Sequence, residues 1–172
     1  MDYQVLVAYA TKHGATAVIA RQIGEVLREA GLQTDVLPVQ DVGDVTAYDA
    51  VVLGSAIYIG RWRKEAVRFL EANERALAER KVWLFSSGPT GKGDAAELVE
   101  GRLVPEGLQP LVDNIKPEGI AVFHGVLIRD QLNFIERLMI RLVKAPFGDF
   151  RDWDAIVAWA AGIADALKEG AD

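Results

Sequence analysis

The sequence predicts a doubly wound α/β fold, a five-stranded parallel sheet with helices on both faces. Two observations carry this. Short apolar runs alternate with helical patterns along the chain, the order that βαβ units impose. Several of those runs are apolar on consecutive residues, such as Val5-Leu6-Val7-Ala8 and Val51-Val52-Leu53, as a strand must be when the sheet is covered on both sides.

The expected strands are residues 4–10, 34–38, 50–55, 82–87 and 120–127. After the first, Ile19, Ile23, Val26, Leu27 and Ala30 recur at helical spacing and stop at Gly31, a natural glycine past a helix end. Residues 64–80 repeat the pattern more weakly through Val67, Leu70 and Leu77, and the C-terminal segment repeats it through Ile156, Ala160, Ile163, Ala164 and Leu167. With 172 residues, 51% of them hydrophobic, residues 1–172 can bury a substantial core, and neither repeats nor linkers divide them, so one domain is expected.

Composition excludes several functions. A net charge of −6 argues against nucleic-acid partners, which require clustered Lys and Arg. The absence of cysteine removes disulfides and thiolate chemistry, and two histidines far apart offer no metal-ligand spacing. The longest uncharged run, residues 50–60, is 11 long, short of the roughly 18 to 20 a spanning helix needs. The first strand starts too early for a signal-peptide pattern, so a cytoplasmic protein is expected. A hydrolase elbow of G-x-S-x-G form does not occur. The acidic pair that a receiver-type signalling domain needs after its first strand is replaced by Thr11-Lys12.

The loop Thr11-Lys12-His13-Gly14-Ala15-Thr16 joins the first strand to the first helix. Such a loop aims free backbone N–H groups and the positive helix end at one point, where an anion gains most. It is neither G-x-G-x-x-G nor a Walker loop, and Gly91-Lys92 completes neither motif. What remains, T-x-x-G-x-T, resembles the phosphate loop of flavodoxins, with His13 where a hydroxyl residue is common and Ala15 where Asn is common. An ordinary threonine-capped turn is the alternative.

In a doubly wound sheet, ligands sit outside the carboxyl ends of the strands, so two further loops enter. The third strand leads into Gly54-Ser55 and then Ala56, Ile57, Tyr58, Ile59, Gly60 and Trp62, small residues followed by aromatics suited to a flat ring. The fourth leads into Ser86, then Ser87, Gly88, Pro89, Thr90 and Gly91, whose backbone suits a pyrimidine edge. Together the three loops point to FMN as cofactor, although Tyr58 and Trp62 could equally be packing. His13 either bonds the phosphate or faces solvent, and His124 reads as a structural histidine rather than a base.

Beyond the last strand the chain departs from an ordinary flavodoxin. Gly125-Val126-Leu127, Arg137-Leu138-Met139-Ile140-Arg141-Leu142, Gly148 and Asp152-Trp153 resemble the menaquinone-dependent protoporphyrinogen oxidase family. The likeness takes in Thr11–Thr16, Gly54–Gly60 and Trp62 as well, and departs over residues 88–116, acidic and glycine-rich here and more basic there. It implies an FMN-dependent oxidoreductase of haem biosynthesis with a porphyrinogen as substrate and a quinone as acceptor; no catalytic base is evident. An FMN electron carrier and a cofactor-free interaction module are the alternatives.

Residues 129–151 form an extra amphipathic segment. Leu132, Phe134, Ile135, Leu138, Met139, Ile140, Leu142 and Val143 are too many for one sheet-facing stripe. Five basic residues stand among them against three acidic ones. Such a surface suits peripheral contact with an anionic membrane, or a helix packed on its own body or on a partner.

Overall fold

In the computed structural model, which describes residues 2–91, 93–99, 102–105 and 107–171, five strands run parallel: β1 (Gln4–Ala10), β2 (Gln33–Pro38), β3 (Ala50–Tyr58), β5 (Lys81–Ser87) and β6 (Gly119–Phe123). Their order is β2-β1-β3-β5-β6, with the two-residue β4 (Arg61–Trp62) folded back antiparallel on β3. Lys92, Glu100, Gly101 and Glu106, within the acidic 88–116 stretch, lie outside the described residues.

Strand alternation distributes the consecutive apolar residues between two cores. Val5 and Val7 of β1, Ala50 and Val52 of β3, and Trp83 and Phe85 of β5 pack with α1 (Ala15–Glu29) and α6 (Trp153–Glu169). Leu6, Ala8, Val51, Leu53, Val82 and Leu84 point the other way, against α2 (Lys64–Ala78) and α4 (Gln109–Ile115). A run of four apolar residues is what this two-sided burial demands. All five apolar positions read in the C-terminal segment are buried on α6, and Gly31, at φ +90°, closes α1.

Three expectations require correction. The third strand does not end at Ser55 but runs on to Tyr58, because Ile57 and Tyr58 pair with Trp62 and Arg61 of β4. The supposed loop is therefore a hairpin. The second helix ends at Ala78, short of Arg80, whose guanidinium instead turns back to the Ala76 and Tyr48 carbonyl oxygens at 2.6 and 2.9 Å. The last strand breaks at His124-Gly125. There the chain crosses the loop after β5 so closely that a Cβ on Gly125 would lie 2.8 Å from the Gly88 Cα. The Gly125 N–H donates to the Pro89 carbonyl oxygen, and its own carbonyl accepts from Phe150 N–H. Val126–Leu127, β7, then pairs antiparallel with β8 (Gly148–Asp149). Between them lies α5 (Phe134–Val143); a short α3 (Ala95–Leu98) precedes α4.

Gly54 shows how tightly the sheet and its cover fit. Opposite it on β5 is Phe85, whose fully buried ring packs with Phe123 and Trp159. A Cβ on Gly54 would sit 1.9 Å from the Phe85 Cζ. Gly54→Ala should destabilise the fold by about 1–3 kcal/mol through overpacking, read as a lower denaturation midpoint at constant slope.

Candidate functional site

The carboxyl ends of β1, β3 and β5 lie side by side in the sheet, and the three loops of interest leave from them. The first passes from Ala10 through residues 11–14 into α1. Gly14, at φ 92°, is the N-cap, a left-handed conformation glycine adopts at no cost. Among the described residues no side chain caps α1, and its first turn holds no acid, so its positive end is uncompensated by its own helix. The Thr11 hydroxyl accepts the Gly14 N–H at 2.9 Å, which folds the loop into a tight cup. Ala15 opens the helix, and Thr16 is buried just behind the cup.

Lys12 and His13 lean out of that cup towards α5. Lys12 pairs with Glu136 Oε1, and His13 Nε2 lies 3.4 Å from Oε2. Glu136 is only 6% exposed, although it stands in a helix whose Phe134, Ile135, Leu138, Leu142 and Val143 are all exposed. Asn133 builds the corner, accepting the Glu136 N–H at 2.8 Å and donating from Nδ2 to Oε1 at 2.9 Å. Burial works to raise the Glu136 carboxyl, but the hydrogen bonds and charges of Lys12, then of His13, outweigh it and hold the group below its ordinary 4.5.

The β3–β4 hairpin meets the same cluster. The Lys12 ammonium lies over the Tyr58 ring, 4.8 Å from its centroid. Burial, with the Glu136 charge second, raises the Tyr58 phenol above its ordinary value. The Tyr58 hydroxyl is buried with no partner among the described residues. Ile59 and Gly60 form the two-residue turn, both at positive φ (51° and 71°). That hand matches the strand twist, but for a β-branched residue it is a strained position.

Trp62 faces inward. It is 7% exposed, and its indole N–H donates to the Ser86 hydroxyl at 2.7 Å. The small residues before the turn also have structural work. Gly54 makes room for Phe85, and Ser55 accepts the Arg63 N–H at 3.0 Å.

The loop after β5 is fastened from behind. Ser87 is buried, and Gly88 N–H donates to the Phe123 carbonyl oxygen. His124 donates from Nε2 to the Gly93 carbonyl oxygen at 2.6 Å, with Nδ1 3.3 Å from that of Pro89. A Cβ on Gly88 would come 2.6 Å from the Ile57 carbonyl oxygen, so this loop lies backbone to backbone on the hairpin. Ala56 and Ile57 form the hairpin side of that contact. The Thr90 hydroxyl is buried without a partner among the described residues, and Gly91 beside it has φ 136°.

The structure thus brings Lys12, His13 and Tyr58 together and joins Ile57 to Gly88, but it places Trp62 in the core. An uncapped helix end with the Thr11 hydroxyl on the Gly14 N–H at its head, and the buried, unpartnered Tyr58 and Thr90 hydroxyls in the adjoining loops, fit the phosphate and ring edge of a flavin mononucleotide. Glu136 was not among the residues the sequence singled out. The available signal was Asn133 three places before a Glu, the spacing of a capping box, with that Glu set in an apolar face.

This arrangement has recognised relatives. The flavodoxin domain model matches residues 6–154, most of the chain, and the protein belongs to that family. Protoporphyrinogen IX dehydrogenase [quinone] of Escherichia coli strain K12 is 24% identical over 182 aligned residues, covering 94% of each chain. Among solved structures, the WrbA-like flavodoxin of Agrobacterium tumefaciens superposes with a TM-score of 0.60 at 13% identity, over 98% of this chain and 99% of that one. Flavodoxin 2 of Bacillus cereus gives 0.54 at 23% identity, over 97% and 99%. Flavodoxin, flavoprotein and oxidoreductase are thus the terms the likeness supports. Among the described residues no helix is long and apolar enough to cross a membrane.

Glu136 makes the attachment of α5 sensitive to acid. Its folded pKa is depressed, so its contribution is present above the unfolded value and is lost as pH falls through the folded one. On acidification below about 4.5, hydrogen exchange in α5 should accelerate ahead of that in β1, and Glu136→Gln should abolish that pH dependence.

Proposed function

We propose that this chain is an FMN-dependent enzyme that oxidises a porphyrinogen-type substrate and passes the electrons to a quinone. The observation carrying this beyond electron carriage is α5. It presents Phe134, Ile135, Leu138 and Leu142 to solvent between Arg137, Arg141 and Lys144, while its one buried acid reaches the phosphate loop. An apolar ring system edged with carboxylates complements such a surface, as do a quinone and the anionic face of a membrane. The whole-length likeness to the Escherichia coli dehydrogenase supports the same reading.

The bound FMN would supply two-electron acceptance from a C–H bond and redelivery to the quinone. The chain's own part is to hold and orient it. The amides of Ala15 and Thr16 and the hydroxyls of Thr11 and Thr16 take the phosphate, with Lys12 and His13 beside them, while the Gly14 N–H stays on the Thr11 hydroxyl and shapes the loop. The hairpin from Ala56 to Gly60, with Tyr58 at its centre, flanks the ring system. In the loop Ser87, Gly88, Pro89, Thr90 and Gly91, the Thr90 and Gly91 amides and the Thr90 hydroxyl are offered to its pyrimidine edge, Gly88 and Pro89 being tied to Phe123 and Gly125, and Trp62 supports the hairpin from beneath. No residue is assigned as a base.

Two measurements test this. Thr11→Ala/Thr16→Ala should weaken FMN binding, each lost hydrogen bond to the charged phosphate costing about 1.5–3 kcal/mol, and an unchanged titration would remove the phosphate assignment. Anaerobic turnover with protoporphyrinogen and a menaquinone analogue should be lost, with FMN affinity retained, when Arg137, Arg141 and Lys144 are reversed to Glu. The same variant should leave anionic vesicles, since each cation near such a surface is worth about 1 kcal/mol at low salt. Flavin reduction without porphyrinogen turnover in the parent would make the protein an electron carrier.

A further inference from the structure

The residues of α5 buried against the body are Glu136 and Ile140. A carboxylate is a costly anchor for an amphipathic helix, because leaving water must be compensated by partners. Its partners are Lys12, His13 and the Asn133 amide, and the first two flank the cup at the head of α1. That helix head has no acid of its own and no side-chain cap among the described residues. The negative charge that pairs with Lys12 and bonds His13 is therefore supplied from another part of the chain.

We propose that the Glu136 carboxylate is an internal competitor of the ligand phosphate for Lys12 and His13, so that phosphate binding and the docking of α5 oppose each other. The inference rests on the flavin reading of the 11–16 loop. A phosphate monoester carries about −1.5 to −2 charges at neutral pH and would claim both the Lys12 ammonium and the His13 ring N–H. The carboxylate, deprived of its compensation and facing a like charge, then loses the reason for its burial. Binding linkage is reciprocal, so whatever α5 gains from Glu136 is lost to the phosphate, and the phosphate loosens α5 to the same extent. Loading the cofactor would thereby loosen α5, whose apolar, basic face is already turned outward. Glu136 acts in this as a positioning residue, through Lys12 and His13, and touches neither ring system nor substrate.

The experiment compares FMN and riboflavin affinities of the parent, Glu136→Gln and Ile140→Ala, together with amide exchange over residues 134–143. Glu136→Gln should tighten FMN about fivefold or more, the lower end of usual coupling, and leave riboflavin, which has no phosphate, unchanged. Ile140→Ala, which loosens the helix without altering charge at the loop, should by the same linkage also tighten FMN and leave riboflavin unchanged. In the parent, adding FMN should speed exchange in 134–143, an arm that needs no variant. Weaker or unchanged FMN binding in Glu136→Gln, an equal shift for riboflavin, weaker FMN binding in Ile140→Ala, or slower exchange in α5 on FMN addition would each overturn the competition. If the parent binds neither flavin, the flavin reading falls and takes the competition with it. Faster exchange in ligand-free Glu136→Gln and Lys12→Met would still report the ion pair as the helix's anchor.

Discussion

Everything in this molecule that can serve a ligand depends on β1 being buried on both faces. Val5, Leu6, Val7 and Ala8 are fully enclosed, with β2 on one side and β3 on the other. Both neighbours run parallel to it, and parallel neighbours require crossover connections. The crossovers send the chain in opposite directions from β1, and the ends of β1 and β3 frame the resulting crevice. The α1 helix must also start immediately beyond β1, so its amide-rich end opens into that crevice. The site follows from the topology before any side chain in it is considered.

Side chains then decide what the crevice can hold. Around the cup, the close-packed element is backbone. Gly88 lies against the Ile57 carbonyl and Gly125 against Gly88, so the loops after β3, β5 and β6 form one stacked wall in which a methyl group would collide. Hydrogen bonds from Gly88 and Gly125, with His124 behind, hold that wall. A wall of this kind offers rigid amides and carbonyls, suited to the edge of a heterocycle and unsuited to mobile acid–base chemistry. The ionisable groups Lys12, His13 and Glu136 gather with Tyr58 between the cup and α5.

Much of this was legible in the sequence, and the reasons are local. Consecutive apolar residues in β1 and β3, and 3.6-residue spacing in α1 and α6, reflect burial patterns that each element satisfies by itself. The cup could be read because its glycine and threonines lie within six residues of one another. What escaped depends on distant contacts. The break at His124-Gly125 is imposed by Gly88, far away along the chain, and an apolar run gives no sign of it. Trp62 reads either as a ring partner or as packing until Ser86 is seen to accept its indole N–H. The partnership of Glu136 with Lys12 spans more than a hundred residues, and helical spacing alone would have turned Glu136 to solvent.

The placement of Glu136 also explains why α5 keeps its apolar face outward. A helix with so many large side chains would ordinarily turn its widest apolar stripe onto the body, since burial is worth roughly 25 cal/mol per Å². Here the Asn133 corner and the Lys12 pair fix the rotation of the helix about its axis, and they bring the side holding Glu136 and Ile140 inward. With that side committed, Phe134, Ile135, Leu138 and Leu142 have nowhere to go but solvent. An ion pair that turns apolar area away from the core opposes the stability of the isolated chain. What it secures instead is the orientation of α5, fixed by a charge that the helix shares with the Lys12 side of the cup.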